Sequence, residues 1–267
     1  MDIPTKPSYG LPKDAATILA TAIDESPSAP TLIALGPWTN LEDVLAVDPT
    51  ILDRVAGIHA MLGTVDAPGN VYLDGLDGDD PLEWNAYADP SAIEAVFATE
   101  VPIDLIPLDA TDDVPVPADL PQRLAEDHEA AGADLLHELL LRHPPRLAAD
   151  QGQQLWDELA ALAVSRPELV SWQQADLAVG ADGRLTRDDA GRPVRFASAA
   201  DEAATVDALL AGLRRGGPRA TPFSLAGTIE VTFDGTTCTS DVVEPAGSGP
   251  PAPGLYQVGY TGPAGDP

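Results

Sequence analysis

The sequence has one cysteine, few basic residues and no long apolar run, and each shortage excludes a class of protein. Cys238 is the single cysteine, so no internal disulfide can form. No apolar stretch approaches the ~20 residues that cross a bilayer as a helix. Lysine and arginine number 14 against 43 acidic residues, which gives a net charge of −29. Such a chain repels phosphate backbones and anionic membranes, so we predict no nucleic-acid partner and no membrane partner.

Length and composition are those of a globular protein. The 267 residues are enough for one large domain, or for one domain with an appendage. Apolar residues make up 44% of the chain, which supports a sizeable core. The first ten residues are polar and contain proline, unlike a signal or transit peptide.

Short apolar segments alternate with amphipathic helical patterns in the first part of the chain. The predicted helices cover residues 14–24, 40–47 and 90–99. The predicted strands cover residues 31–35, 58–62 and 103–108. The third helix has a clear start signal, because Asp89 can cap it and Pro90 suits its first position. This order predicts an α/β fold with a mainly parallel open sheet flanked by helices.

The residue pattern changes from helical to strand-like near the end of the sequence. Further helices are predicted over residues 120–142, 153–165 and 200–215, and an outer strand over residues 175–180. Gly216-Gly217-Pro218 then ends the helical pattern, and strand-like alternation follows. We predict an α/β domain over residues 1–215, a linker over 216–226, and a small, incomplete β-rich appendage over 227–267.

Polar side chains suited to sugar hydroxyls follow an aspartate-rich loop at residues 66–80. Glu83 and Asn85 are two positions apart, so their side chains point the same way in an extended segment, and Asn70 precedes them in the same region. A carboxylate accepts from hydroxyls and stabilises a developing cation, whereas an amide both donates and accepts. The alternative is that Glu83 and Asn85 are polar residues of a helix start, and that Asn70 is a turn residue after glycine.

Four motifs occur in a fixed order along the chain. They are A-L-G-P-W-T-N at residues 34–40, A-M-L-G at 60–63, G-N at 69–70 and L-E-W-N-A-Y-A-D-P at 82–90. Together they resemble the inosine–uridine-preferring nucleoside hydrolases, a Rossmann-like α/β family. The resemblance implies hydrolysis of the N-glycosidic bond of ribonucleosides to ribose and free base. The family's opening D-x-D-x-x-x-D-D segment has no match here, so we expect a C-terminal portion with the N-terminal strands missing.

The resemblance also implies roles for individual residues in substrate binding. Asn70, Glu83 and Asn85 correspond to residues that bind the ribose, and Met61 corresponds to a methionine that packs beneath the sugar. Trp156 stands where some members have a histidine, and it could stack on a base or be a core tryptophan. No catalytic residue is expected in this chain, because the family's catalytic base belongs to the unmatched opening segment.

A calcium ion is the cofactor that the resemblance implies, with Asp157 and the backbone carbonyl of Leu35 among its ligands. Calcium prefers six to eight oxygen ligands, several of them from carboxylates, so the site is expected to be incomplete in this chain. A second group of aspartates stands at positions 74, 77, 79 and 80. Its spacing fits neither the family's motif nor an EF-hand loop, so we do not predict a calcium site there.

The expected partner is a ribonucleoside, and the isolated chain is expected to be inactive. Two alternatives stay open: a non-catalytic remnant that binds ribose or nucleoside, and a structural or interaction module. An exposed strand edge is expected to favour a homo-oligomer or pairing with a missing N-terminal half. Localisation stays open as well, because a missing N-terminus would be compatible with export.

Overall fold

The computed structural model describes residues 15–71, 81–142, 152–215, 225–233, 238–243 and 255–261. The aspartate group at positions 74–80 lies outside these ranges, so the prediction about it stays untested. None of the helices within these ranges is long and apolar enough to cross a membrane.

A six-stranded mixed sheet forms the centre of the α/β domain. Its strands are β1 (Thr31–Ala34), β2 (Gly57–Ala60), β3 (Ile103–Leu105), β4 (Val170–Val179), β5 (Leu185–Arg187) and β6 (Arg192–Ala200). The spatial order is β1-β2-β3-β6-β4-β5. The strands β1, β2, β3 and β6 are parallel, whereas β4 is antiparallel to both β6 and β5. The predicted α/β class is therefore confirmed, and the sheet has an antiparallel part that the sequence patterns did not predict.

Nine α-helices of the described ranges surround this sheet, besides two short 3-10 helices at Ile51–Arg54 and Pro167–Leu169. They are α1 (Ala15–Glu25), α2 (Thr39–Val47), α3 (Trp84–Ala88), α4 (Pro90–Phe97), α5 (Leu108–Thr111), α6 (Leu120–Glu126), α7 (Ala131–Arg142), α8 (Trp156–Ser165) and α9 (Glu202–Leu213). The start of α4 is as predicted, because the Asp89 side chain accepts a hydrogen bond from the Ala92 N–H and Pro90 is the first residue.

Two apolar clusters bury the two faces of the sheet. The alternation along β6 separates them, because Phe196 belongs to the first cluster and Ala197 to the second. The first cluster joins the sheet to α1, α2 and α4, with Val44 and Ile93 fully buried. The second joins the sheet to α5–α9, with Leu159 fully buried. Each such side chain stabilises the fold by about 1.5–3 kcal/mol relative to an exposed position.

One predicted helix is wrong in its extent. Residues 120–142 form two helices, α6 and α7, because the chain leaves the helical conformation at Asp127, which is extended. The Asp127 carbonyl accepts a hydrogen bond from the Arg214 side chain, just after the end of α9. This contact between distant segments is not encoded in the local apolar periodicity, which runs on through the break.

Two strands were missed by the sequence patterns. The predicted strand at 175–180 is the second half of the longer β4, and β5 and β6 were not predicted. Pro193 and two arginines interrupt the alternation of β6. The position of Arg195 in the sheet is explained only by its neighbour, because its guanidinium pairs with the Asp104 carboxylate across the β3–β6 pair.

The C-terminal segment contains a second, three-stranded sheet. It consists of β7 (Leu225–Phe233), β8 (Cys238–Val243) and β9 (Leu255–Thr261), with β7 in the centre. The strand β7 is antiparallel to β8 and parallel to β9. It begins two residues before the predicted appendage, inside the segment predicted as a linker. Residues 216–224 lie outside the described ranges.

Candidate active site

A cleft of about 350 Å³ opens at the carboxyl ends of β1 and β2. Its walls are formed by Leu35, Met61, Asn70, Glu83, Trp84, Asn85, Trp156 and Asp157. All seven residues singled out in the sequence for substrate or metal binding are therefore brought together, although they lie on five separate segments. The volume is within the range of small-molecule sites, and ligands of open α/β sheets bind at this edge.

A close approach of two backbone segments brings Asn70 beside the segment that begins α3. The N–H groups of Gly69 and Asn70 donate to the carbonyls of Pro81 and Leu82, at 3.2 and 2.9 Å. A Cβ atom on Gly69 would lie only 2.2 Å from the Pro81 carbonyl oxygen, so the approach requires glycine. The Asn70 Oδ1 then accepts a hydrogen bond of 3.0 Å from the Trp84 N–H.

The carboxylate of Glu83 organises the turn before α3. Its oxygens accept hydrogen bonds from the backbone N–H groups of Gly63, Asn85 and Ala86, at 2.8–2.9 Å. The residue is 3% exposed, and this burial raises the pKa of its carboxyl, with the nearby charge of Asp157 acting in the same direction. The three hydrogen bonds oppose that rise. Glu83 is thus the N-cap of α3, as the helix-start alternative predicted, and it also lines the cleft.

The side chain of Asn85 is held by Met61, the residue that follows β2. Its Nδ2 donates to the Met61 carbonyl oxygen at 3.0 Å and approaches the Met61 sulfur at 3.4 Å. Both residues are buried. The amide Oδ1 of Asn85 has no hydrogen-bond partner among the described residues, so it is available as an acceptor at the cleft wall.

The opposite wall comes from the first turn of α8. Trp156 is partly buried, and its indole N–H is enclosed and faces the Asp112 carboxylate, where it opposes the rise in the pKa of Asp112 that burial causes. Asp157 is exposed, and desolvation by the walls of the cleft raises the pKa of its carboxyl. Asp157 could therefore accept a hydrogen bond from a bound molecule, and Trp156 could offer the face of its ring.

A calcium ion fits these residues only in part. Asp157 is exposed to the cleft, whereas Glu83 is buried and three N–H donors take three of the roughly four acceptor positions of its carboxylate. Within the ranges that the structure describes, no group of three or more His, Cys, Asp or Glu side chains is arranged to hold a metal. Asp157 and the Leu35 carbonyl alone do not supply the six to eight oxygens that calcium prefers.

Two further residues border the site. Trp84 is 57% exposed at the rim of the cleft, where its ring is 6.5 Å from that of Tyr87. Asp109, at the start of α5, holds the loop after β2 through the backbone N–H groups of Val65 and Asp66, at 2.8 and 2.7 Å.

Comparison with known proteins places the chain in a family. The family model described as inosine-uridine preferring nucleoside hydrolase matches residues 2–208. A pyrimidine-specific ribonucleoside hydrolase, RihA, from Klebsiella pneumoniae is 28% identical over 177 residues, which are 65% of this chain and 54% of the relative. The chain thus spans about half the length of that curated relative.

Solved structures agree with this result. An inosine-uridine preferring nucleoside hydrolase from Bacillus anthracis has a TM-score of 0.68 and 28% identity, and the match covers 77% of this chain and 67% of that one. A purine-preferring ribonucleoside hydrolase from Gardnerella vaginalis shares the fold, with a TM-score of 0.62 at 21% identity over 80% of this chain and 71% of that one. The resemblance predicted from the motifs is confirmed, and the chain belongs to the inosine–uridine-preferring nucleoside hydrolase family.

Proposed function

We propose that this chain supplies the ribose-binding part of an enzyme that hydrolyses ribonucleosides to ribose and a free base. One observation carries the proposal: three separate segments deliver two asparagines, two carboxylates and two indoles to a single cleft. Hydrolysis of an N-glycosidic bond passes through a ribosyl cation, so a site for it must hold the sugar hydroxyls firmly and favour positive charge.

In this proposal the two asparagines hold the ribose. Asn70 would donate from its Nδ2, since its Oδ1 already accepts from the Trp84 N–H. Asn85 would accept through its Oδ1, since its Nδ2 is held by Met61. The Met61 side chain would form the apolar floor beneath the sugar, and Trp156 would face the base.

Glu83 would act mainly by holding the loop of Asn85 in place and by placing a negative charge near the sugar. Its three hydrogen bonds to backbone N–H groups fix the loop that presents Asn85, and its charge lies where a ribosyl cation would develop. Calcium binding by this chain is proposed to be weak, about millimolar, because a single exposed carboxylate and one carbonyl make a poor site. We further propose that the isolated chain does not measurably hydrolyse inosine or uridine, because no base for activating water is assigned to it.

An experiment on the full chain separates binding from catalysis. Ribose binding is measured by calorimetry, and release of reducing sugar from inosine and uridine is measured with and without calcium. We expect ribose to bind, Asn70→Ala to weaken that binding about tenfold or more, and no sugar release. Asn40→Ala is the matched control, because Asn40 is also exposed but lies outside the cleft.

Two results would change the proposal. Metal-dependent release of ribose that disappears in Glu83→Ala would mean that the chain already holds a complete catalytic site. Absence of ribose binding would favour a structural or interaction module. A non-catalytic ribose-binding protein is the second candidate. The burial of Glu83 and its three backbone hydrogen bonds favour it, because Asp157 is then the one exposed carboxylate of the cleft among the described residues.

A further inference from the structure

The segment that begins α8 is attached to the segment that follows α5. The Leu155 N–H donates to the Val114 carbonyl oxygen at 2.8 Å, within a short antiparallel pairing of the two segments. This pairing brings Trp156, the first residue of α8, beside Asp112, the residue that directly follows α5. Leu155 precedes α8 and has an apolar side chain that cannot cap the helix. The start of α8 is therefore held in place by the chain around Asp112.

The two edges of the Trp156 side chain have different surroundings. Its indole N–H is enclosed and faces the Asp112 carboxylate, whereas another part of the ring lines the cleft. A buried indole N–H is stabilised by an acceptor, because an unpaired donor costs free energy when water is excluded. Asp112 itself is exposed and is not among the described residues that line the cleft. Any effect of Asp112 on a bound molecule must therefore pass through the Trp156 ring.

The helix α5, which carries Asp112 at its end, is fixed to the opposite wall of the cleft. The Leu108 N–H at the start of α5 donates to the Gly63 carbonyl oxygen at 3.1 Å. The Gly63 N–H in turn donates to the Glu83 carboxylate at 2.8 Å. A hydrogen bond from Trp156 to Asp112 would thus set the position of the ring relative to Glu83 across the cleft.

We propose that Asp112 is a positioning residue, which accepts a hydrogen bond from the Trp156 indole N–H and thereby turns the face of the ring towards a nucleobase bound in the cleft. This inference rests on the proposed function, because it concerns the base of the nucleoside that the cleft is proposed to bind. A ring whose N–H is engaged offers its π face and no hydrogen bond. The wall should therefore accept flat aromatic bases that differ in their hydrogen-bonding groups.

The first test compares a ligand that has a base with one that lacks it. Inosine and ribose are titrated separately into the full chain by calorimetry. Asp112→Ala should weaken inosine binding about fivefold or more and leave ribose binding unchanged, because ribose has no base to contact the ring. Asp112→Asn should restore most of the inosine binding, because its amide oxygen can still accept from the indole. Asp119→Ala is the matched control, since Asp119 is also exposed, precedes α6 and lies outside the cleft.

The second test observes the hydrogen bond without any ligand. Hydrogen exchange of the indole N–H groups is followed by NMR, and the Trp156 signal is the one missing in Trp156→Phe. This signal should exchange about tenfold faster in Asp112→Ala and return towards its original rate in Asp112→Asn. In the Trp156→Phe background, which has no indole N–H, Asp112→Ala should have no further effect on inosine binding.

The outcomes separate this inference from the proposed function. The inference is overturned if Asp112→Ala leaves the indole exchange and inosine binding unchanged, or if its effect persists in Trp156→Phe. Equal weakening of ribose and inosine binding would also overturn it, because Asp112 would then only support the fold of the cleft. If the unchanged chain binds neither ligand, the proposed function fails, and the role of Asp112 towards a base fails with it.

Discussion

Glu83 is a buried carboxylate whose oxygens accept hydrogen bonds from three backbone N–H groups. Replacing it should therefore lower the stability of the fold. Glu83→Ala would leave the N–H groups of Gly63, Asn85 and Ala86 without acceptors inside the protein. Each buried, unsatisfied donor costs about 1–3 kcal/mol, partly relieved by water entering from the cleft. We expect Glu83→Ala to lower the free energy of unfolding by roughly 2–4 kcal/mol.

Urea denaturation followed by circular dichroism measures this loss. Glu83→Gln should be intermediate, because the amide keeps one oxygen acceptor and puts an NH₂ group against the remaining donors. Glu94→Ala is the control, since Glu94 is an exposed residue of α4. Equal stability of Glu83→Ala and the unchanged chain would mean that the three hydrogen bonds do not form in solution.

Asp104 forms the centre of a polar row that crosses β2, β3 and β6. Its carboxylate is 2.8 Å from His59 Nε2 and accepts from the Arg195 guanidinium, which stacks on the Trp172 ring at 4.2 Å. Burial alone would raise the pKa of Asp104, but the hydrogen bonds and charges of Arg195 and His59 outweigh burial and lower it to about 2.

The lowered pKa of Asp104 gives a pH dependence of stability with a definite sign. Because the pKa is lower in the folded than in the unfolded chain, the stabilisation is complete above about pH 4 and is lost as the pH falls towards 2. After allowance for screening by solvent it amounts to about 1–2 kcal/mol. Asp104→Asn should remove this part of the acid dependence, measured as the denaturation midpoint between about pH 5 and 2. Asp53→Asn, at an exposed position, should keep it; equal acid profiles for the two variants would contradict the assignment.

The turn between β4 and β5 depends on one glycine for its fit against α3. Gly183 has a φ of +88°, and a Cβ atom there would lie 2.3 Å from the Ala86 carbonyl oxygen. Gly183→Ala must therefore both strain the backbone and push the turn away from α3. We expect it to cost roughly 3 kcal/mol or more of unfolding free energy, since a positive φ alone costs about 1–2 kcal/mol.

Gly152 provides the matched control for this element. It has a φ of +69°, but a Cβ atom there would have no neighbour within 4 Å among the described residues. Gly152→Ala should show only the cost of the positive φ, about 1 kcal/mol, and the difference between the two variants measures the contact with α3. Equal losses in thermal unfolding would show that the turn does not press against α3.

The whole molecule carries 43 acidic and only 14 basic residues, so repulsion between like charges opposes the compact state. Added salt screens this repulsion over distances of about 10 Å at 0.1 M. We expect the melting temperature to rise by several degrees as NaCl is increased from about 0.01 to 1 M. KCl at the same concentrations should act equally, because the effect depends on ionic strength. A melting temperature that falls or stays constant would mean that local ion pairs, such as Arg187 with Asp66, outweigh the net repulsion.

The sequence by itself determined the features that depend on neighbouring residues. Apolar runs gave the three parallel strands near the start, Asp89 and Pro90 gave the beginning of α4, and four ordered motifs gave the family. These signals are local, because capping and periodicity act over a few residues. The residues that line the cleft could also be predicted from the sequence, since motifs at the carboxyl ends of parallel strands meet at one edge of the sheet.

Only the tertiary structure decided how those residues are used. It inserted β6 between β3 and β4, and it divided the chain between residues 120 and 142 into two helices. It also showed that the Glu83 oxygens accept from three backbone donors, one of which is the N–H of Gly63 on another segment. Pairings between residues far apart in the chain leave no trace in local periodicity, because they are fixed by the total burial and hydrogen bonding of the packed molecule.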